Sequence, residues 1–417
     1  NVSIMTLFPT NAFRHLHKKG LLRSYLESLG LEGDLQLSEA LPRSVQKQLQ
    51  EAGLAVEQSE RPAVGLPFEI VQALNFELTY GCNLACTHCL QDGLRPPNRS
   101  ISWADLASVQ RALREAKMLG LATEGVNFTG GEILVKDSPV LTLVRLAASL
   151  DIHVRVNTNA TWGKKEGICI GSEHFATDID VVRTFKEAGA MMLALSLDDR
   201  YSTYPGLLNK VIAVAAACEE AGLTYQVVMT DTKMDLQTDA MSRLKRAIGH
   251  SPRFLDGAQM QLVDIGGSRE WTNGPMEVTS LARLPYRSDC ERKAFYRPWN
   301  LHISPDGGIR GCMYAPGSGY FGNIRKDRLI DVLNRAASNP VARLFRNEGL
   351  EEFTAKYIDP WSELYRKIKH PCAASVLLAR LSEKITAERE RFGREPTADE
   401  LESIHRTVAA EYRAERS

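Results

Sequence analysis

Between residues 74 and 265, short apolar runs alternate with helical patterns. The runs fall near 74–79, 125–129, 152–157, 191–197, 224–229 and 259–265. The stretches between them, such as WADLASVQRALREAKMLG, SPVLTLVRLAASL, DIDVVRTFKEAG and GLLNKVIAVAAACEEAG, space their apolar residues for one face of a helix. Strands that alternate with helices pair in parallel through right-handed crossovers. The fold class expected is therefore α/β. In barrel-type α/β folds the loops at the strand ends open on one face, and that face carries the chemistry.

Directly after the first run stands Cys82-Asn83-Leu84-Ala85-Cys86-Thr87-His88-Cys89. The CxxxCxxC spacing offers three thiolates on one short loop. A 4Fe-4S cube normally takes four Cys ligands, so three leave one iron open to a small molecule. Structural zinc is the alternative, because it prefers a closed tetrahedron of CxxC pairs or of Cys with His. His88 is the residue zinc would recruit, yet it sits beside Cys89 and between two other ligands, where it can hardly turn to the same metal without strain. Buried thiols are the plainer alternative.

The second run, in GVNFTGGEIL, ends in Gly130-Gly131-Glu132. Two glycines let a backbone approach a ligand closely, and the acid can accept from an ammonium group. The run in MLALSLDD ends in Ser196 and Asp198, and that in HVRVNTNAT ends in Asn157 and Asn159. Each of these residues is also an ordinary strand-end turn former.

The segment LTYGCNLACTHC resembles the cluster loop of the radical S-adenosylmethionine (SAM) superfamily, and the GGE and SLD strand ends strengthen the likeness. The resemblance implies a partial (β/α)6 barrel with a catalytic 4Fe-4S cluster on Cys82, Cys86 and Cys89. It implies SAM bound at the open iron and split by one electron to methionine and a 5'-deoxyadenosyl radical, which takes hydrogen from a substrate. Gly130, Gly131 and Glu132 would hold the SAM amino group. Ser196 and Asp198 would meet its ribose or carboxylate, and Asn157 and Asn159 would line the cavity. An external electron donor such as flavodoxin or ferredoxin is implied as partner. The family often adds an arginine after SxD to grip the SAM carboxylate. STYPGLLNK has none, leaving Arg200 or Lys210 as substitutes.

Farther along, Cys290 and Cys312 bracket ERKAFYRPWNLHISPDGGIRG, and LHISPDGGIRGC reads as a β-hairpin with a Pro-Asp-Gly-Gly turn. With GYFGNI after it, this resembles the start of the SPASM or twitch extensions of radical SAM enzymes, which carry an auxiliary 4Fe-4S cluster. Only Cys372 follows, so the shorter twitch form fits better, with Cys290, Cys312 and Cys372 as its ligands. Cys218 falls on the apolar side of a helix and reads as core. Cys169 lies in an insertion after Asn157, on the presumed active face, where a thiol can return a hydrogen atom to a substrate radical as in some family epimerases.

The expected organisation is an N-terminal helical segment over 1–70, the barrel over 71–283, a hairpin-plus-helix auxiliary domain over 284–375 and a helical tail over 376–417. NAFRHLHKKGLLRSYLESLG and LPRSVQKQLQEAGLAVE read as helices, either a cap on the barrel or a reduced leader-peptide module. Fifty-one Lys and Arg balance 51 Asp and Glu, so nothing in the charge points to nucleic acid. No signal-peptide pattern and no membrane-length apolar run are present in the sequence, and thiolate ligands need reducing surroundings. A cytoplasmic protein without a membrane partner is expected. For substrate, the extension favours a ribosomal peptide undergoing cross-linking, oxidation or epimerisation. The truncated auxiliary region favours a small natural-product precursor, and a non-enzymatic iron-sulfur or zinc protein is the third class. Oligomeric state is not readable.

Overall fold

The computed structural model describes residues 35–38, 56–59, 73–86, 89, 100–119, 121–122, 125–164, 166–197, 204–228, 239–252, 254–256, 300–310, 320–338, 350–358, 360–361 and 371–414. In chain order the strands are β1 (Leu35–Ser38), β2 (Val56–Ser59), β3 (Ala73–Glu77), β4 (Gly125–Thr129), β5 (Val154–Thr158), β6 (Ile168–Ile170), β7 (Glu173–Phe175), β8 (Met192–Ser196), β9 (Thr224–Val228), β10 (Phe254–Asp256), β11 (Asn300–Ile303), β12 (Gly308–Arg310) and β13 (Tyr320–Asn323). The helices are α1 (Leu106–Met118), α2 (Val140–Ser149), α3 (Asp178–Glu187), α4 (Leu207–Ala221), α5 (Asp239–Ile248), α6 (Leu329–Ser338), α7 (Leu350–Tyr357), α8 (Pro371–Phe392) and α9 (Ala398–Ala414).

One nine-stranded sheet organises the molecule, in the order β10-β9-β8-β5-β4-β3-β11-β12-β13. From β3 to β10, six strands lie side by side in parallel, with helices in the crossovers. This is the α/β arrangement expected from the alternating runs. The sixth strand is Phe254–Asp256. The run 259–265, chosen from the sequence for that position, lies outside the described residues.

Residues on the two faces of the sheet differ in polarity, and this positions the site. Phe76, Phe128, Val156 and Leu193 stand opposite one another across successive strands and are essentially unexposed. They form the side packed against helices, where α2 contributes Val140, Leu143 and Val144, all fully buried. Side chains alternate along a strand, so the neighbouring row is His302, Asn75, Asn127, Arg155 and Met192 on the other face. Asn157 and Gln226 lie on that same face one pleat farther along, in register with Ala194.

Helix ends are set locally. The Asp105 side chain accepts from the Ser108 N–H at 3.0 Å to start α1, Thr177 and Asp180 make a capping box on α3, and Gly222 closes α4 at φ 64°.

The hairpin read from LHISPDGGIRG forms as β11 and β12. It is also an extension of the barrel sheet, because β11 pairs in parallel with β3 and β13 closes the far edge against β12. Two contacts tie the extension to α1. The Arg111 guanidinium donates to the Ile324 carbonyl, and Glu115 accepts from the Leu329 N–H. Near the N-terminus, β1 and β2 form a separate parallel pair. Val56 and Glu57, expected at the end of a helix, are therefore strand, beyond the Gly53 stop and at a β-branched residue, and the rest of that expected helix, 41–55, lies outside the described residues. The expected stretch 11–30 lies outside the described residues. The tail forms two helices, broken at 393–397 as its Gly and Pro suggest. At that corner Glu395 accepts from Tyr357 and Arg389, and these bonds hold its carboxyl down at about 2.

Phe128 is fully buried, with its ring 5.9 Å from that of Phe76. Phe128→Ala should lower unfolding stability by about 3–5 kcal/mol, measured as a shift of the denaturant midpoint.

Candidate active site

At the carboxyl ends of β3 and β4 the backbones of two segments come into close contact. Beyond the strand ladder, the Gly131 N–H donates to the Thr79 carbonyl at 2.7 Å and the Glu132 N–H to the Gly81 carbonyl at 3.0 Å. A Cβ on Gly131 would lie 1.8 Å from the Gly81 oxygen, and one on Gly130, where φ is +146°, 2.4 Å from the Thr79 oxygen. The paired glycines therefore serve an approach that the sequence did not reveal. They let the GGE turn lie directly against the segment leading into the cysteine loop.

Glu132 completes this joint. Its side chain is fully buried, and it accepts from the Leu134 N–H (2.8 Å), the Thr158 hydroxyl (2.9 Å) and the Asn159 N–H (2.7 Å). Burial pushes the carboxyl up to about 7, against the pull of these donors. The carboxylate thus fastens the turn after β4 to the end of β5.

The end of β5 reaches the cysteine loop. The Asn159 amide nitrogen donates to Asn83 Oδ1 at 3.0 Å and to Cys82 Sγ at 3.8 Å. Its oxygen accepts from the Thr161 N–H at 3.0 Å. Asn83 in turn donates to the Thr161 hydroxyl at 2.7 Å. Cys82 and Cys86 are buried and Cys89 is half-buried, while the Cys89 N–H bonds to the Cys86 carbonyl and folds the loop back. Lys210, one of the two substitutes for the missing arginine, donates to the Thr161 carbonyl at 3.3 Å and so stands beside this network. Arg200 lies outside the described residues.

Soft thiolates supplied as a threesome, with amide donors at one of the sulfurs, are a donor set suited to an iron-sulfur cube. Three Cys residues would hold it here. His88, which the zinc alternative needs, lies outside the described residues, and among those described no three His, Cys, Asp or Glu side chains form a site for a single metal ion.

On the inner face of the sheet, three polar atoms are sealed from solvent without a hydrogen-bond partner among the described residues: Asn127 Oδ1, Asn157 Oδ1 and His302 Nδ1. The Asn127 amide nitrogen binds Asn75 Oδ1 at 3.1 Å, and that of Asn157 binds the Thr129 hydroxyl at 3.2 Å. Burial holds the His302 imidazole down at about 4, hence neutral. Buried polar atoms normally find partners, and these three belong to the face turned away from the covering helices.

The other expected residues are distributed as follows. Ser196 ends β8, half-buried. Cys169 sits in the β6–β7 hairpin, opposite His174, with its thiol against the Gly171 carbonyl at 3.7 Å. That hairpin docks through Gly171 to Lys136 and through Glu173 to Arg145 of α2 at 2.8 Å. Cys218 is fully buried in α4, as expected of a core thiol. Asp198, Cys290 and Cys312 lie outside the described residues. Cys372 falls in the first turn of α8, and its side chain lies outside them too. The sequence reading passed over Asn83, Thr158 and Thr161, whose only signal was their place beside a ligand or at a strand end.

Comparison with known proteins bears directly on this arrangement. Residues 76–240, from β3 into α5, match the family model described as the radical SAM superfamily. The chain thus carries a radical SAM domain over these residues, and the joint between the GGE turn and the cysteine loop lies within it. It is 21% identical over 314 residues to a probable GTP 3',8-cyclase of Methanothermobacter thermautotrophicus, covering 66% of this chain and 91% of that one. It is 30% identical over 125 residues to a GTP 3',8-cyclase of Actinobacillus pleuropneumoniae serotype 3, covering 30% of this chain and 32% of that one. The chain thus spans about a third of the length of the latter. Among solved structures, native anSMEcpe with bound AdoMet aligns at a TM-score of 0.40 and 13% identity, covering 62% of this chain and 79% of that one. No helix among the described residues is long and apolar enough to cross a membrane.

Glu132→Gln places an N–H₂ among hydrogen-bond donors. It should cost about 1–3 kcal/mol, read as a lower melting temperature of the metal-free protein. Gly131→Ala should prevent the turn from closing on Gly81 and reduce the yield of folded protein more severely than Glu132→Gln does.

Proposed function

We propose that this protein reductively cleaves SAM and uses the resulting 5'-deoxyadenosyl radical to take a hydrogen atom from a polar substrate held inside the barrel. The observation that carries the proposal is the cysteine loop itself. Three thiols leave the end of β3 on a loop fastened to β4 by backbone bonds and to β5 by Asn159. A 4Fe-4S cluster on Cys82, Cys86 and Cys89 would supply one electron to SAM at its open iron. The residues of this chain position and exclude. Gly130 and Gly131 bring the GGE turn against the loop, and Glu132 locks it to Asn159. Ser196 and Asn157 stand at the ends of neighbouring strands, where SAM would be held, and Asp198 follows Ser196 in the sequence.

For the substrate, the inner face supports a small molecule rich in hydrogen-bonding groups. Asn75, Asn127, Arg155 and His302 form one row across it, and the side-chain oxygens of Asn127 and Asn157 have no partner among the described residues. Such a face suits a ligand that brings its own N–H and O–H donors, and the nucleotide in the name of the cyclase relatives is of that kind. A second reading, peptide modification, is supported by the β1–β2 pair. Among the described residues it has no further strand on either side, and an extended peptide can add to such an edge. An auxiliary cluster on Cys290, Cys312 and Cys372 and a hydrogen-donor role for Cys169 belong to the same proposal. An electron donor such as flavodoxin or ferredoxin would complete it.

Anaerobic reconstitution should give about eight irons per chain if both cubes form and about four if only the first does. Dithionite and SAM should then yield 5'-deoxyadenosine, and Cys82→Ala should abolish that product. Protein that takes up zinc instead and leaves SAM intact would overturn the proposal.

A further inference from the structure

Among the interactions around the cysteine loop, one is chemically distinct from the rest. The Asn159 side chain carries two N–H groups and places them on two different acceptors, Asn83 Oδ1 and Cys82 Sγ. Which end of the amide carries the nitrogen follows from a third contact. The Thr161 N–H can only donate, so the atom facing it at 3.0 Å is the amide oxygen. Cys82 Sγ also faces the Leu84 N–H at 3.4 Å. The sulfur therefore has a donor from its own loop and another from the far end of β5, which is a separate strand.

This second donor is held firmly. Asn159 is buried, and its backbone N–H is fixed by Glu132. The next residue, Ala160, is fully buried in the left-handed region at φ 55°, with its N–H accepted by Thr158 Oγ1. A non-glycine residue there is strained. Such strain persists only where the surroundings over-determine the conformation.

Resting on the cluster reading above, we propose that Asn159 sets the reduction potential of an iron-sulfur cluster at Cys82 by donating a hydrogen bond to that sulfur. Reduction adds negative charge that is shared by the thiolate sulfurs, so a donor aimed at one of them stabilises the reduced form and raises the potential. Asn159 acts through the sulfur and is a positioning residue. Because its tie to Glu132 runs through the backbone, the side chain can be changed while that fastening remains.

The test is a redox titration of the reconstituted protein followed by electron paramagnetic resonance, on the signal that Cys82→Ala removes. Asn159→Leu deletes the donor, and Asn159→Asp replaces it with an acceptor of the same shape. Both should shift the midpoint to more negative potential. At one fixed poise, the ratio of reduced to oxidised cluster should fall about three- to tenfold, where tenfold corresponds to about 59 mV for one electron. Wild-type midpoints in variants with full iron content would overturn the inference and leave the cluster reading standing. Loss of the cluster from both variants would also overturn it, making Asn159 a requirement for assembly. A wild-type protein that holds no cubane would remove both.

Discussion

The structure depends on the way two strand ends are joined without side chains. Thr79 and Gly81 of one segment accept from Gly131 and Glu132 of the next, continuing the β3–β4 ladder past the point where the strands end. Side chains at Gly130 or Gly131 would collide with the opposing carbonyls. Backbone bonds of this kind set a spacing that does not vary with rotamer. The cysteine loop inherits its position from them. Glu132 then carries the constraint to a third strand by gathering donors from Leu134, Thr158 and Asn159.

The polarity of the sheet follows from how it is covered. Helices in the crossovers dry one face, and Phe76, Phe128 and Val156 are buried there. The opposite face keeps Asn75, Asn127, Arg155 and Asn157. Polar side chains in a sheet interior are costly unless they bond, and the side-chain oxygens of Asn127 and Asn157 have no partner among the described residues. A face built in this way is suited to bind a polar molecule and poorly suited to pack as core. The hairpin extension continues the same surface by adding His302 beside Asn75.

Much of the site was legible because its chemistry is written locally. CxxxCxxC, GGE and the strand-end asparagines each stand within a few residues of an apolar run, and alternation of runs with helical patterns says that such ends meet. What was not legible depends on pairing between distant segments. Joining β11 to β3 links Asn300 to Ala73, and no period in either segment announces it. The sixth strand is only three residues long, too short for its pattern to stand out from the longer run after it. The strands near the N-terminus were hidden for the same reason, being brief and adjacent to a strong helical pattern.

By itself the sequence determined an α/β chain with three thiols on one loop after the first barrel strand, because ligand type and strand period are properties of neighbouring residues. Only the tertiary structure decided that the GGE glycines press against Gly81 and that Glu132 faces inward to bind Thr158 and Asn159. It also decided that Asn159 reaches Cys82. Those are choices among partners that lie far apart in the chain. They are settled when the parallel ladder fixes which strand ends stand side by side and burial obliges each enclosed polar group to find a donor or acceptor there.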